Sequence, residues 1–123
     1  HIRNPLKAIE NMASKTNTLI IESTFSNFYD DHILNIKNEK SINTSDNEIG
    51  SRFSRDTMYK ALNNHFDYIY SVKKLPDHSS YQKDWNKIHF RDNLTQKSRD
   101  ILIASKKNIQ NKNLEFGLIK IHN

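Results

Sequence analysis

Seven residues, "TLIIEST" at 18 to 24, restrict the fold more than any other stretch of the chain. Their apolar centre is too short for a helix, rich in β-branched residues and without polar alternation. It predicts a strand covered on both faces, as in a parallel sheet. A helix should precede it. Asn4 is a good N-cap and Pro5 suits the first helical position, where its missing N–H is not needed. Leu6, Ile9 and Ala13, with Met12 beside them, recur on one face, and "KTN" at 15 to 17 ends the helix. Helix followed by buried strand is half of a β-α-β unit, and a right-handed crossover needs a strand on each side of its helix. A further strand is therefore expected ahead of His1, and without it Leu19, Ile20 and Ile21 would form an apolar sheet edge that invites pairing.

Residues 25 to 53 change character, with "KNEKSINTSDNEIGS" lacking any period and reading as a long loop, either a lid or a plain surface connection. Order resumes at "SRDTMYKALNNHF", where Ser54 is the expected N-cap and Asp56 lies in the first turn, favourable to the helix dipole. Met58, Ala61, Leu62, His65 and Phe66 form the expected inward stripe. "DYIYSV" predicts a strand, residues 76 to 98 a second long loop in which "WNKIHFRDNL" has room for one helical turn, and "RDILIASKK" another strand. Without a crossover helix between them, these two strands should pair antiparallel. In the tail, Leu114, Phe116 and Leu118 alternate as an edge strand would.

Composition limits the function classes. A chain of 123 residues is one domain's length at most, and its 35% hydrophobic content is low for an independent globular unit. There is no Cys, which removes disulfides and thiolate chemistry. No apolar run approaches the ~20 residues that span a bilayer, so a soluble, cytoplasmic chain with no membrane partner is expected. Residues 1 to 62 carry 8 basic and 8 acidic side chains and residues 63 to 123 carry 11 and 6, which places the whole net charge of +5 in the second half. That excess suits an anionic partner or plain solubility.

Together, "HIRNPLKAIENMASKTNTLIIES", "SRDTMYKALNNHFDYIYSVKKLP" and "SRDILIASKK" resemble the C-terminal half of a class I S-adenosylmethionine-dependent methyltransferase over residues 1 to 107. The first is similar to a Tyr-His-x-Arg-x-Pro stretch that leads through a helix into the fifth strand of that fold. The nearest group it resembles is the wobble-uridine tRNA methyltransferases with their small-molecule and glycan-modifying relatives. The resemblance implies an α/β fold, the C-terminal half of a seven-stranded Rossmann-like sheet with an antiparallel final strand, as a single partial domain over residues 1 to 123. It implies S-adenosyl-L-methionine as cofactor, held mainly by a glycine-rich turn that this chain lacks, since Gly50 and Gly117 stand far apart. The anchor is then expected in a missing N-terminal half, with the fragment alone inactive, and either that half or a second copy is expected as partner through the exposed edge.

The same resemblance assigns roles to single residues. His1 is the candidate catalytic base or hydrogen-bond partner and Arg3 a holder of a substrate anion. Asn4 and Pro5 are candidates at the cofactor, with helix capping as the plainer role. Glu22, at the strand end where open α/β sheets place ligands, is a candidate for a substrate hydroxyl or amine, or a solvated carboxylate. Arg52 and Phe53 stand where relatives contact substrate. No metal site is expected, because His78 with His89 is too few ligands. The methyl acceptor, whether small molecule, glycan or tRNA, is left open. The alternative is a small basic nucleic-acid-binding or protein-interaction module, using Tyr81, Trp85 and Phe90 with Lys73, Lys74, Lys83, Lys87 and Arg91.

Overall fold

The computed structural model describes residues 4–26, 34–38, 49–87 and 98–123, with side chains described outside 34–38 and 49–52. Among them, two α-helices lie on one face of an open four-stranded sheet whose neighbouring strands are all antiparallel. Helix α1 spans Pro5–Lys15, strand β1 Thr18–Thr24, helix α2 Arg55–Asn63 and strand β4 Tyr68–Val72. Between them, β2 (Leu34–Asn38) and β3 (Ile49–Phe53) form a separate two-stranded ribbon inside the segment that lacks a sequence period. A single 3-10 turn at Trp85–Lys87 precedes β5 (Arg99–Ser105), and β6 (Leu114–Phe116) closes the order.

The helices begin where the sequence predicts. Asn4 Oδ1 accepts the Lys7 amide at 3.0 Å with Pro5 at the first helical position, and Ser54 Oγ accepts the Thr57 amide at 3.1 Å with Asp56 in the first turn. Each cap satisfies one of the donors that a helix start leaves open. At the far end of α1, Lys106 Nζ donates to the Ala13 carbonyl at 2.7 Å, placing a cation on the negative end of the helix.

Sheet order is β1-β5-β4-β6. β5 is antiparallel to both β1 and β4, so β1 and β4 run parallel with β5 inserted between them. The antiparallel pairing expected of "DYIYSV" and "RDILIASKK" is present, and β6 adds the tail strand on the other side of β4. Period-two alternation sorts the side chains. Leu19, Ile21, Leu102, Ala104 and Ile69 face the helices and pack with Ile9, Ala13, Ala61, Leu62 and Phe66. Leu62 and Leu102 are fully buried and form the centre of this layer.

Three expectations are corrected. β1 is covered on one face only: Ile20 is 65% exposed, because the helices occupy a single face and, among the described residues, β1 pairs with β5 alone. The apolar stripe of α1 is narrower than its sequence pattern, with Ile9 and Ala13 buried but Leu6 and Met12 on the flanks at 55% and 38% exposure. His65 is exposed while its neighbours Leu62 and Phe66 are buried, since it falls in the turn after α2. On the opposite sheet face, Phe116 meets Tyr70 edge-on at 5.9 Å, and the Tyr70 hydroxyl is held by Asn108 and the Ile109 amide. The tail therefore covers the β4 part of that face and leaves Ile20, next to Ile103, exposed.

Candidate functional site

Both helices run back along the sheet, so the N-termini of α1 and α2, the end of β1 and the start of β5 collect at one edge. Short links hold that edge together. The Phe25 amide donates to the Ser98 carbonyl at 2.9 Å, the Ser26 amide to the Phe53 carbonyl at 2.8 Å, and Tyr81 bridges Arg99. Two polar clusters result, one open to solvent and one buried.

The open cluster contains Glu22, Arg99, Tyr81, His78 and Ser80. Arg99 Nε lies 2.9 Å from Glu22 Oε1 without hydrogen-bond alignment, and the Tyr81 hydroxyl approaches the same oxygen at 3.4 Å. Glu22 and Arg99 are 39% and 43% exposed, which keeps both accessible to a solute and makes their attraction weak as a stabilising force. His78 Nδ1 sits 2.7 Å from Ser80 Oγ and accepts the Ser80 amide at 3.2 Å, so the lone pair is on Nδ1 and the hydroxyl donates to it. A carboxylate, a guanidinium, a phenol and an imidazole on one rim can orient a polar or anionic group by hydrogen bonds.

The buried cluster lies beneath it. Arg55, the first residue of α2, places Nε 2.8 Å from Asp100 Oδ2, donates from Nη2 to the Ile119 carbonyl at 2.7 Å, and stacks 4.4 Å above the Trp85 ring. Asp100 Oδ1 accepts the Ile101 amide at 2.7 Å and faces His122 Nε2 at 3.4 Å. Burial lowers the Arg55 guanidinium below its ordinary range, opposed by the charges of Asp100 and Asp56. The Arg55–Asp100 contact is close but misaligned for a hydrogen bond, so it acts as an ion pair.

The sequence candidates distribute unevenly. Glu22 is on the open rim, and Asn4 and Pro5 form the start of α1, where they cap the helix. Phe53 is buried in the core cluster with Phe25 and Trp85, which makes it a packing residue in this chain. His1, Arg3, His89, Phe90 and Arg91 lie outside the described residues, as does the Arg52 side chain. Trp85 packs edge-on against Phe25 at 6.3 Å. Of the lysines considered for a phosphate-tracking face, Lys73 pairs with Glu115, Lys83 with Asp77 and Lys87 with Asp84. The Lys83 contact holds the Asp77 carboxyl below the usual carboxylate range, first by hydrogen bond and then by charge. Among the described residues, no group of three or more His, Asp or Glu could hold a metal ion, and no helix is long and apolar enough to cross a membrane.

Arg55, Asp100, Arg99 and His122 were missed by sequence reasoning. One signal was available for Asp100, a charge set within the apolar run "RDILIAS", where alternation points it at the core. Comparison of the chain with protein-family models, with curated proteins and with solved structures found no match.

Proposed function

We propose that the chain is the C-terminal segment of an S-adenosylmethionine-dependent methyltransferase, contributing the acceptor-side rim while a preceding half of the sheet carries the main cofactor anchor. One observation supports this reading: β5 runs antiparallel between the parallel strands β1 and β4, with both helices on the same sheet face. That is the closing pattern of the methyltransferase sheet that the sequence resembles. The outer edge of β1 and the exposed Ile20 on the helix-free face are where the preceding half would dock, its strand pairing beside Leu19 and Ile21.

The residues present do not fit the anchor. Gly117, with φ +84°, turns the tail, and Gly50 lies in β3; neither follows a parallel strand. No transfer step is therefore assigned within this chain. Glu22, Arg99, Tyr81 and His78 supply hydrogen bonds to a polar acceptor, whether small molecule, glycan or tRNA.

Calorimetric titration of S-adenosylmethionine tests this directly. The 123-residue chain should show no binding, and the polypeptide extended upstream as its gene encodes should bind. Binding by the short chain, or none by the extended one, overturns the proposal.

A further inference from the structure

The last seven residues are strapped across the edge that carries both polar clusters. The Gly117 amide donates to the Ile69 carbonyl at 2.8 Å, Ser71 Oγ donates to the Gly117 carbonyl at 2.7 Å, and Arg55 holds the Ile119 carbonyl. Further along, the Trp85 amide donates to the Lys120 carbonyl, the His122 amide to Lys83 and the Asn123 amide to Lys73, all within 2.8 Å. His122 is the buried end of this strap, with its ring enclosed.

Both ring nitrogens of His122 face acceptors. Nδ1 lies 2.7 Å from the Val72 carbonyl and Nε2 lies 3.4 Å from Asp100 Oδ1. A neutral imidazole has one N–H, which the short contact to Val72 takes, leaving the Nε2 lone pair opposite a carboxylate oxygen. Nε2 is buried with no hydrogen-bond partner among the described residues, and only the imidazolium carries a proton on both nitrogens. We propose that His122 is a proton-controlled latch for the C-terminal strap: its protonation adds a charge-assisted contact to Asp100 that tightens residues 119–123 over Arg55 and Trp85, and its deprotonation loosens them.

Charges of both signs surround the ring. On α2, Arg55 is paired to the other oxygen of Asp100, and Asp56 adds a second negative charge to the same neighbourhood. On the flanking segments, Lys73, Lys83 and Asp84 are engaged by Glu115, Asp77 and Lys87. Asp100 is therefore the one carboxylate that a described contact brings to the ring. The sign follows: the grip is present where the imidazole is protonated and is lost where the ring is neutral.

Trp85 is the only tryptophan of the chain, so its fluorescence reports the strap without labelling. Between about pH 5 and about pH 8, the span in which imidazoles titrate, the emission of the wild-type protein should change in one single-proton step. His122→Asn should abolish that step, and His78→Asn should leave it intact. Hydrogen exchange on the wild-type protein, corrected for intrinsic rates, provides a measurement independent of any variant. Protection of the His122 and Asn123 amides should fall about tenfold across this range, the worth of one hydrogen bond to a charged group, while that of Phe66 stays constant. A step that survives His122→Asn, or tail amides whose protection does not change with pH, overturns the latch.

Discussion

Asp100→Asn removes a buried negative charge while keeping the side chain's shape. The Arg55 side chain is 8% exposed and, among the described residues, would keep the Ile119 carbonyl and the Trp85 face as partners. At an effective dielectric of about 20, two charges about 4 Å apart attract by about 4 kcal/mol. The asparagine oxygen can still accept the Ile101 amide, which Asp100 receives at 2.7 Å, so part of the local geometry survives. A net loss of about 3 kcal/mol is expected, at the low end of what breaking one side of a buried pair costs. For a domain of this size a urea slope of about 2 kcal/mol per M turns that into a midpoint about 1.5 M lower. Urea unfolding followed by Trp85 fluorescence and by circular dichroism measures it. Arg55→Met combined with Asp100→Leu should return to within about 1 kcal/mol of the wild type, because no unpaired charge remains. A single variant within about 0.3 M of the wild-type midpoint, or a double variant no more stable than the single, would refute the view that this pair is costly only when broken.

Four further outcomes are expected. Leu102→Ala and Leu62→Ala, both at fully buried positions, should each cost about 3 kcal/mol in the same unfolding assay. Asn4→Ala and Ser54→Ala should each cost about 1 kcal/mol through loss of a helix cap, and Asn4→Asp, a comparable cap, should not. Glu22→Gln should change stability by less than about 1 kcal/mol, since its ion pair is exposed; a larger loss would move Glu22 from the rim to the scaffold. Ile20→Lys should leave the urea midpoint of the 123-residue chain unchanged within about 0.3 M and remove any concentration-dependent association seen by light scattering, because it charges an exposed edge position.

The sequence was most legible where local rules suffice. Asn4–Pro5 and Ser54–Asp56 announce the two helix starts through backbone donors that need a cap, and the structure places both helices there. The apolar runs around Ile69 and Leu102 marked strands, and the lack of an intervening helix marked their antiparallel pairing. What failed depended on how many layers cover each element. "TLIIEST" carries enough apolar residues for two covered faces, but β1 lies at the sheet edge with helices on one side, so Ile20 is bare. Leu6 and Met12 satisfied a helical spacing while standing beyond the width of the contact, and His65 satisfied it while falling past the end of α2. The buried cluster was hidden for a different reason. Arg55, Asp100 and His122 come from a helix start, a strand and the chain end, and only tertiary packing brings them within ion-pair distance. Spacing carries no information about such a meeting.

The most direct test of the account is amide hydrogen exchange along β1, measured at the positions whose N–H groups point away from β5. In the 123-residue chain these amides should exchange at rates near those of an unpaired strand, and in the polypeptide extended upstream they should become protected as a neighbouring strand takes the edge. Equal exchange in the two polypeptides, whether fast in both or already protected in the shorter one, would contradict the claim that β1 is an interior strand of a larger sheet.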